Sequence, residues 1–198
     1  PGDMRFEDLN NTGTIDNGAN TVDSPGDRKI IGNSEPRYIY TLSFSADWNN
    51  FFLSAMFDGV GKQDWYPSGE SSFWGQYNRP YNQVPVWHLN NYWTKDRPDA
   101  YLPRYSGYYN PLYKGTANTR YLQDVSYFRL KNLQFGYNLP KKWIAKAGFS
   151  KVSVYFSGEN LWSWSPLYRH TKDYDVTVIT KGSDNDLTSG NKGDGFNY

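Results

Sequence analysis

The 198-residue sequence contains no cysteine, which excludes a disulfide scaffold and thiolate chemistry. It has no excess of either charge, because 21 Lys and Arg residues nearly balance 20 Asp and Glu residues. We therefore expect no nucleic-acid partner. No apolar run approaches the roughly 20 residues that a transmembrane helix needs. The opening residues, PGDMRFEDLNN, lack the basic and apolar regions of a signal peptide, so we expect a cytosolic protein or a parent whose N-terminus is missing.

Aromatic residues are abundant instead, at 19% of the chain, with 18 Tyr, 11 Phe and 8 Trp. Tyr and Trp combine an apolar body with a polar tip. Such residues are typical of sugar-binding surfaces, of protein interfaces and of the boundary between water and lipid.

Alternating apolar and polar residues predict an all-β, antiparallel fold. The alternation begins at Arg37 and continues on both sides of Asn49-Asn50, a pair that tolerates the positive φ angles of a tight turn, so 37–60 is predicted as a β-hairpin. Two more strands are predicted within 125–160, joined by a turn at 140–148. Phe128 and Leu130 are out of phase with Leu133 and Phe135, which predicts a β-bulge near Asn132.

The connections between these strands are short on one side and long on the other. Residues 1–36, 61–124 and 161–198 are predicted as long loops, whereas 49–50 and 140–148 are short turns. Outer-membrane barrels have this asymmetry, with short periplasmic turns and long extracellular loops, but a soluble β-sandwich with one decorated end gives the same alternation. Four strands cannot close a barrel, so the barrel interpretation requires the chain to be a fragment.

Several segments resemble the C-terminal part of the SusC/RagA family, the TonB-dependent outer-membrane transporters of Gram-negative Bacteroidetes. They are PGDMRFEDLNNTGTID, DRKIIGNSEPRYIYTLSFSADWNNFFLSAMFDGVG, TRYLQDVSYFRLKNLQFGYNLPKKW, KVSVYFSGENLW and GDGFNY. The resemblance implies part of a 22-stranded transmembrane barrel in the outer membrane, with an internal plug. It also implies a SusD-like surface lipoprotein as partner, energy from TonB through an N-terminal region that the chain lacks, and import of oligosaccharides or peptides.

In such a barrel the two faces of each strand have different neighbours. Lipid is expected to meet Tyr38, Tyr40, Leu42, Phe44, Leu133, Phe135, Val152 and Val154, and the lumen is expected to be lined by Thr41, Ser43, Gln134, Ser153 and Ser157. Trp48 and Trp143 are expected in the aromatic girdle at the periplasmic boundary.

A stretch near the start has the spacing of a calcium loop. Side-chain oxygens of Asp8, Asn10, Thr12 and Asp16 and the carbonyl of Thr14 recur at alternate positions, with Gly13 for the sharp turn. Ala19 stands where a bidentate Glu is usual, so Asp23 or Asp27 would have to substitute for it. Calcium is thus the one candidate cofactor. The alternative is a loop capped by its own Asn and Asp side chains.

The long loops carry the candidate contact residues for a substrate or partner. These are the aromatic residues Trp65, Tyr66, Phe73, Trp74, Tyr77, Trp87, Tyr92 and Trp93. The alternative for any one of them is packing of loop on loop. No catalytic motif is present, and His88 and His170 lack neighbours at zinc-ligand spacing, so no enzyme is expected. The leading hypothesis is a piece of a nutrient importer, and the rival is a soluble, secreted, aromatic-rich carbohydrate-binding β domain.

Overall fold

A computed structural model describes residues 1–67, 72–74, 84–105 and 116–179. These residues fall into two compact units, which we treat separately. The sheet unit contains Ser34–Asp64 and Asp124–Ile179, and the loop unit contains Pro1–Asn33 and Trp65–Gln123. The predicted loop aromatic Tyr77 lies outside the described residues.

Strands supply most of the regular structure. In chain order they are β1 (Arg37–Trp48), β2 (Phe51–Lys62), β3 (Asp64–Trp65), β4 (Gln123–Asp124), β5 (Tyr127–Asn138) and β6 (Ser153–Trp164). β1, β2, β5 and β6 form one antiparallel sheet in that order, while β3 and β4 pair only with each other. The mostly antiparallel β fold expected from the alternation is therefore present.

The tight turn between β1 and β2 forms as its residues suggest. Asn49 and Asn50 have φ angles of 46° and 70°, the left-handed conformation that asparagine adopts more readily than most residues. This turn fixes the register, so that Trp48 pairs with Phe51 and each later pair follows in step.

The bulge predicted near Asn132 is confirmed. Between β2 and β5 the register shifts at Met56 and Phe57, which pair with Asn132 and Leu130, so Lys131 is the extra residue. Because of this extra residue, Leu130 returns to the face that Leu133 occupies.

β6 is longer than predicted, because it continues to Trp164 rather than ending at 160. Asn160, where the predicted strand ended, has a φ of 52° and lies within β6. The register between β5 and β6 shifts beside it, and Trp162 to Trp164 then pair with Leu130 to Phe128. Val152, predicted on the lipid face, lies just before β6, where its carbonyl accepts the Leu139 N–H.

The turn between β5 and β6 is a short helical segment. It comprises α1 (Lys141–Ile144) and a 3₁₀ turn (Ala145–Ala147), and it ends at Gly148 in the left-handed conformation, with φ of 78°. Ile144 is its buried residue. Further 3₁₀ turns occupy Pro166–Arg169 in the sheet unit and Ser72–Trp74 and Val86–His88 in the loop unit. Among the described residues, no helix has the length and apolar character needed to cross a membrane.

Candidate functional site

One face of the four-stranded sheet is apolar in nearly every row of paired residues. The pairing places side chains on this apolar face in five rows: Tyr40, Gly59, Phe128 and Trp164; Leu42, Phe57, Leu130 and Trp162; Phe44, Ala55, Leu133 and Gly158; Ala46, Leu53, Phe135 and Phe156; and Trp48, Phe51, Tyr137 and Val154. Ring contacts cross from strand to strand, such as Phe57 stacked on Phe128 at 5.2 Å between centroids. The apolar face is therefore continuous over all four strands.

Many of these apolar side chains are uncovered. Leu42 is 58% exposed, Phe44 53% and Phe156 56%. A soluble protein rarely leaves so extended an apolar surface open, because burying it against another layer would be favourable. Among the described residues no second sheet packs on this one, since the other strands are only two residues long.

The opposite face is mostly polar. Its rows are Thr41, Asp58, Arg129 and Ser163; Ser43, Met56, Asn132 and Glu159; Ser45, Ser54, Gln134 and Ser157; and Asp47, Phe52, Gly136 and Tyr155, with Ser153 paired to Asn138 at the turn end. The five residues predicted for the lumen, Thr41, Ser43, Gln134, Ser153 and Ser157, all lie on this polar face.

An ion pair joins β2 and β5 on the polar face. The Nε and Nη2 atoms of Arg129 donate to the two carboxylate oxygens of Asp58, at 3.0 and 2.8 Å. Both side chains are only 15% exposed. A bidentate, mostly buried pair of this kind is geometrically specific, and each charge depends on the other for its stability.

Residues 165–179, which follow β6, return over the polar face and are named here the return segment. The Thr177 hydroxyl accepts a bond from Arg129 Nη1 at 3.3 Å, and the Tyr168 hydroxyl lies 3.1 Å from that of Ser163. Ser165 caps the first turn of the segment by accepting the Leu167 N–H. The ion pair thus also anchors the chain that leaves the sheet.

In the loop unit, three of the predicted contact aromatics are buried. Phe73 and Trp74 have no exposed surface and Trp65 is 7% exposed. Phe73 contacts the rings of Trp65 and Trp74 edge to face, and the Trp74 indole N–H donates to the Pro67 carbonyl at 3.1 Å. These three side chains pack loop on loop, so in this conformation they have no surface for a ligand.

The other described contact candidates, Tyr66, Trp87, Tyr92 and Trp93, are half-buried. Trp93 lines a cleft of about 560 Å³ within the loop unit, together with Arg5, Glu7 and Arg120. The cleft therefore offers an indole and side chains of both charges. Arg120 is held in place, because its guanidinium donates to the carbonyls of Ala100 and Tyr101.

Three phenols of the loop unit, buried Tyr121 and half-buried Tyr66 and Tyr101, act as neutral hydrogen-bonding groups, and Tyr121 lines the cleft. Burial raises the pKa of Tyr121 to about 12 and also raises the pKa of Tyr66 and of Tyr101. The Tyr101 hydroxyl accepts from Gln123 Nε2 at 2.8 Å. Because these phenols stay protonated at physiological pH, they offer no general base.

The predicted calcium loop is held by its own hydrogen bonds. The Asp8 carboxylate accepts the N–H groups of Thr12 and Gly13, at 3.2 and 2.7 Å. The Asn10 side-chain oxygen accepts the Thr12 N–H and the Asp16 carboxylate accepts the Gly18 N–H, while Thr14 contributes its carbonyl to the Thr12 hydroxyl.

Asp27, which the sequence offered as a substitute ligand, converges on the same loop. Its carboxylate accepts the N–H groups of Leu9, Asn10 and Asp16, the shortest at 2.7 Å, and these bonds, led by that from Asp16, lower its pKa. In the described part of the chain, no group of three or more His, Cys, Asp or Glu side chains is arranged to hold a metal. Calcium binding stays a prediction.

Sequence patterns did not identify the Asp58–Arg129 pair as a site. The two residues are 71 positions apart, and Arg129 resembled a charge at a strand end. Both residues lie on the polar face of the sheet, but this can be recognised only when β2 and β5 are known to be neighbouring strands.

The amino-acid sequence is similar to two known receptors. No protein-family model matches the chain. TonB-dependent receptor P3 of Formosa agariphila is 33% identical over 164 residues, which are 81% of this chain and 14% of that receptor. TonB-dependent receptor P26 of the same organism is 25% identical over 164 residues, 83% of this chain and 15% of the receptor. The chain therefore spans about a seventh of these relatives.

Solved structures with a similar fold include two of RagAB. The RagAB peptide importer in its closed-closed state has a TM-score of 0.50 and 23% identity, covering 73% of this chain and 15% of the other. The RagAB peptide transporter has a TM-score of 0.51 and 24% identity, covering 69% and 14%. The sequence similarity to the receptors and the shared sheet fold agree, and the chain belongs to the TonB-dependent receptors.

Proposed function

We propose that this chain forms part of the wall of an outer-membrane nutrient importer, corresponding to the C-terminal portion of the receptor barrel. The main support for this proposal is that one face of the sheet is apolar and exposed while the opposite face is polar. Its apolar face would meet lipid, and its polar face would line the lumen through which substrate passes. The named relatives are receptors and importers rather than enzymes, which supports a transport role without catalysis.

The spacing of aromatic residues on the apolar face supports a membrane position. The first and last rows are rich in rings, with Tyr40, Phe128 and Trp164 at one end and Trp48 and Phe51 at the other. From Tyr40 to Trp48 an antiparallel strand rises about 27 Å, at about 3.4 Å per residue. A strand tilt of about 40° reduces this to about 21 Å, comparable with the apolar band of about 25 Å in outer-membrane barrels.

The edges of the sheet support its membership of a larger barrel. Among the described residues, the outer edges of β1 and β6 have no strand partner. Unpaired backbone N–H and C=O groups are too costly to leave in lipid, so further strands must continue the sheet on both sides. We place these strands, the plug and the TonB-contacting region in the remainder of the receptor.

The long segments before β1, between β2 and β5, and after β6 would then be extracellular and meet a SusD-like lipoprotein and the incoming substrate. The substrate is an oligosaccharide or a peptide. RagAB is a peptide importer, and the cleft beside Trp93 carries side chains of both charges, as would suit a zwitterionic chain. A ring such as Trp93 would also suit a sugar. The rival hypothesis, a soluble carbohydrate-binding domain, has no layer among the described residues to cover the apolar face.

Two neighbouring positions test the assignment of the faces. Phe44 lies midway along β1 on the apolar face, and Ser45 lies beside it on the all-serine-and-glutamine row of the polar face. In the full-length receptor, Phe44→Arg should destabilise the folded barrel by about 2–4 kcal/mol, whereas Ser45→Arg should have a much smaller effect. Both are measured as the free energy of unfolding in lipid and as the yield of heat-resistant, folded receptor in the outer membrane.

The paired design makes the result decisive. Equal tolerance of both substitutions would refute a lipid-facing apolar surface. A larger penalty at Ser45 than at Phe44 would mean that the faces are reversed.

A further inference from the structure

The turn between β5 and β6 displays a concentration of positive charge. Lys141, Lys142, Lys146 and Lys151 are all exposed. No acidic residue occurs from Leu139 to Gly158, so no carboxylate of the turn itself neutralises them. We name residues 140–151 the lysine turn.

Two large apolar side chains are exposed among these lysines. Trp143 is 68% exposed and Phe149 60%. A purely solvated turn has no reason to present an indole and a phenyl ring, whereas an interfacial segment typically combines aromatic and cationic side chains.

The backbone of the lysine turn is held by hydrogen bonds. Within it, Trp143 N–H donates to the Pro140 carbonyl at 2.9 Å and Gly148 N–H to the Ala145 carbonyl at 3.0 Å. Its two ends are joined where Leu139 N–H donates to the Val152 carbonyl at 2.9 Å, and Ile144 is buried beneath it. The lysine and aromatic side chains therefore project from a hydrogen-bonded turn with a buried residue beneath it.

The position of the turn indicates what it faces. It follows Asn138, the residue next to Tyr137, and Tyr137 belongs to the last aromatic row of the apolar face with Trp48 and Phe51. If that row lies at the boundary of the hydrocarbon, as the proposed function requires, the lysines fall in the headgroup layer immediately beyond it.

We propose that the lysine turn is a binding site for the phosphate headgroups of anionic phospholipids in the periplasmic leaflet. The ammonium groups would contact the phosphates, while Trp143 and Phe149 would lie among the glycerol backbones and upper acyl chains. The exposed rings favour a lipid over a free phosphate ion, which would gain nothing from them. The site would hold the receptor at a fixed depth and favour anionic lipids around this part of the barrel. This inference rests on the proposed barrel location.

The test uses the full-length receptor in nanodiscs of phosphatidylcholine with and without phosphatidylglycerol. Retained lipids are counted by native mass spectrometry, and apparent melting temperature is measured in parallel. The variant replaces all four lysines of the turn by Gln. The matched control, Lys29→Gln with Lys95→Gln, removes two exposed lysines of the loop unit, and it is compared with the equal-sized variant Lys142→Gln with Lys146→Gln.

We expect the wild type to retain phosphatidylglycerol and to melt at a higher temperature when it is present. One lysine in full contact with an anionic surface strengthens binding about fivefold. Even if only two of the four lysines contact lipid at one time, the four-lysine variant should lose more than about tenfold in phosphatidylglycerol affinity. The Lys142 and Lys146 variant should lose part of the effect, and the Lys29 and Lys95 control should lose none.

Three outcomes would overturn the inference: a wild type indifferent to phosphatidylglycerol, an equal loss in the control, or equal stabilisation by inorganic phosphate without anionic lipid. Failure of the proposed function itself is seen separately, because a receptor that does not adopt its heat-resistant folded form in any nanodisc is not a membrane barrel. If the four-lysine variant fails to fold, the comparison between the two double variants still decides the matter.

Discussion

Replacing Arg129 alone should destabilise the sheet more than replacing both members of the Asp58–Arg129 pair. The guanidinium and carboxylate share two hydrogen bonds of 3.0 and 2.8 Å, and each side chain is only 15% exposed. Breaking a buried pair typically costs about 3–5 kcal/mol, chiefly because the remaining charge is left without compensation. Since both groups keep some contact with water, we expect the lower end of this range for Arg129→Met, about 3 kcal/mol. Asp58→Asn should cost less, about 2 kcal/mol, because the amide oxygen can still accept a hydrogen bond from Arg129.

The double variant Asp58→Asn with Arg129→Met leaves no buried charge behind. It should cost about 2 kcal/mol rather than the roughly 5 kcal/mol that independent effects would give, a coupling of about 3 kcal/mol. The exposed neighbour Lys131 provides the control, because Lys131→Met at the bulge should stay within about 0.5 kcal/mol of the wild type.

The assay is denaturant unfolding of each full-length receptor in lipid, followed by tryptophan fluorescence. Protease cleavage within the return segment, 165–179, gives a second readout, because Arg129 also donates to Thr177. Strict additivity of the two single substitutions, or a wild-type stability for Arg129→Met, would refute the reasoning. Cleavage of the return segment should increase with Arg129→Met and not with Lys131→Met.

Two further predictions concern packing and pH. Gly136→Ala should cost about 1–3 kcal/mol of unfolding free energy, because the added Cβ would clash with the ring of Phe52 and lie 2.6 Å from Cβ of Tyr155. Gly61→Ala should cost less, because the nearest atom to its added Cβ, Cβ of Tyr38, would be 3.1 Å away. Equal costs would contradict this. The hydrogen bonds lower the pKa of Asp27 in the folded state, so its carboxylate should stabilise the 8–27 loop above about pH 4. This stabilisation should be lost as the pH falls through the lowered pKa of the folded state. At neutral pH, Asp27→Asn should therefore increase amide hydrogen exchange of residues 9–16, equally with calcium or with EDTA. Unchanged exchange in Asp27→Asn would show that the carboxylate does not hold the loop, and protection that depends on calcium would show that the metal does.

The strands were predictable because their signals are local. The hairpin expected at 37–60 closely matches β1 and β2, since period-2 alternation and the Asn49-Asn50 turn act between near neighbours in sequence. The bulge was also predictable, because a change of phase within a single strand reveals it. The end of β6 was not, since Asn160 has the same left-handed preference in a bulge as in a turn, and only the pairing with β5 distinguishes the two.

The candidate site was only partly predictable. Alternation correctly separated the residues of the apolar face from those of the polar face. That these faces meet lipid and a lumen stays a prediction. Alternation could not show that Asp58 meets Arg129, because that contact depends on which strands are neighbours. Nor could composition separate the buried Phe73 and Trp74 from the half-exposed Trp93, since all three are aromatic residues in a polar loop and only tertiary packing decides their exposure.

The open outer edge of β1 has a consequence for biogenesis. All twelve residues of this strand are exposed, and its outward backbone groups have no partner among the described residues. An extended, largely uncharged strand edge is a template for pairing with any other strand, including another copy of itself. If the sheet is part of a barrel, as proposed, the edge that completes the barrel in the membrane would promote aggregation in water beforehand. On the proposed location, the unfolded receptor should therefore depend on chaperones that shield such segments during its passage through the periplasm.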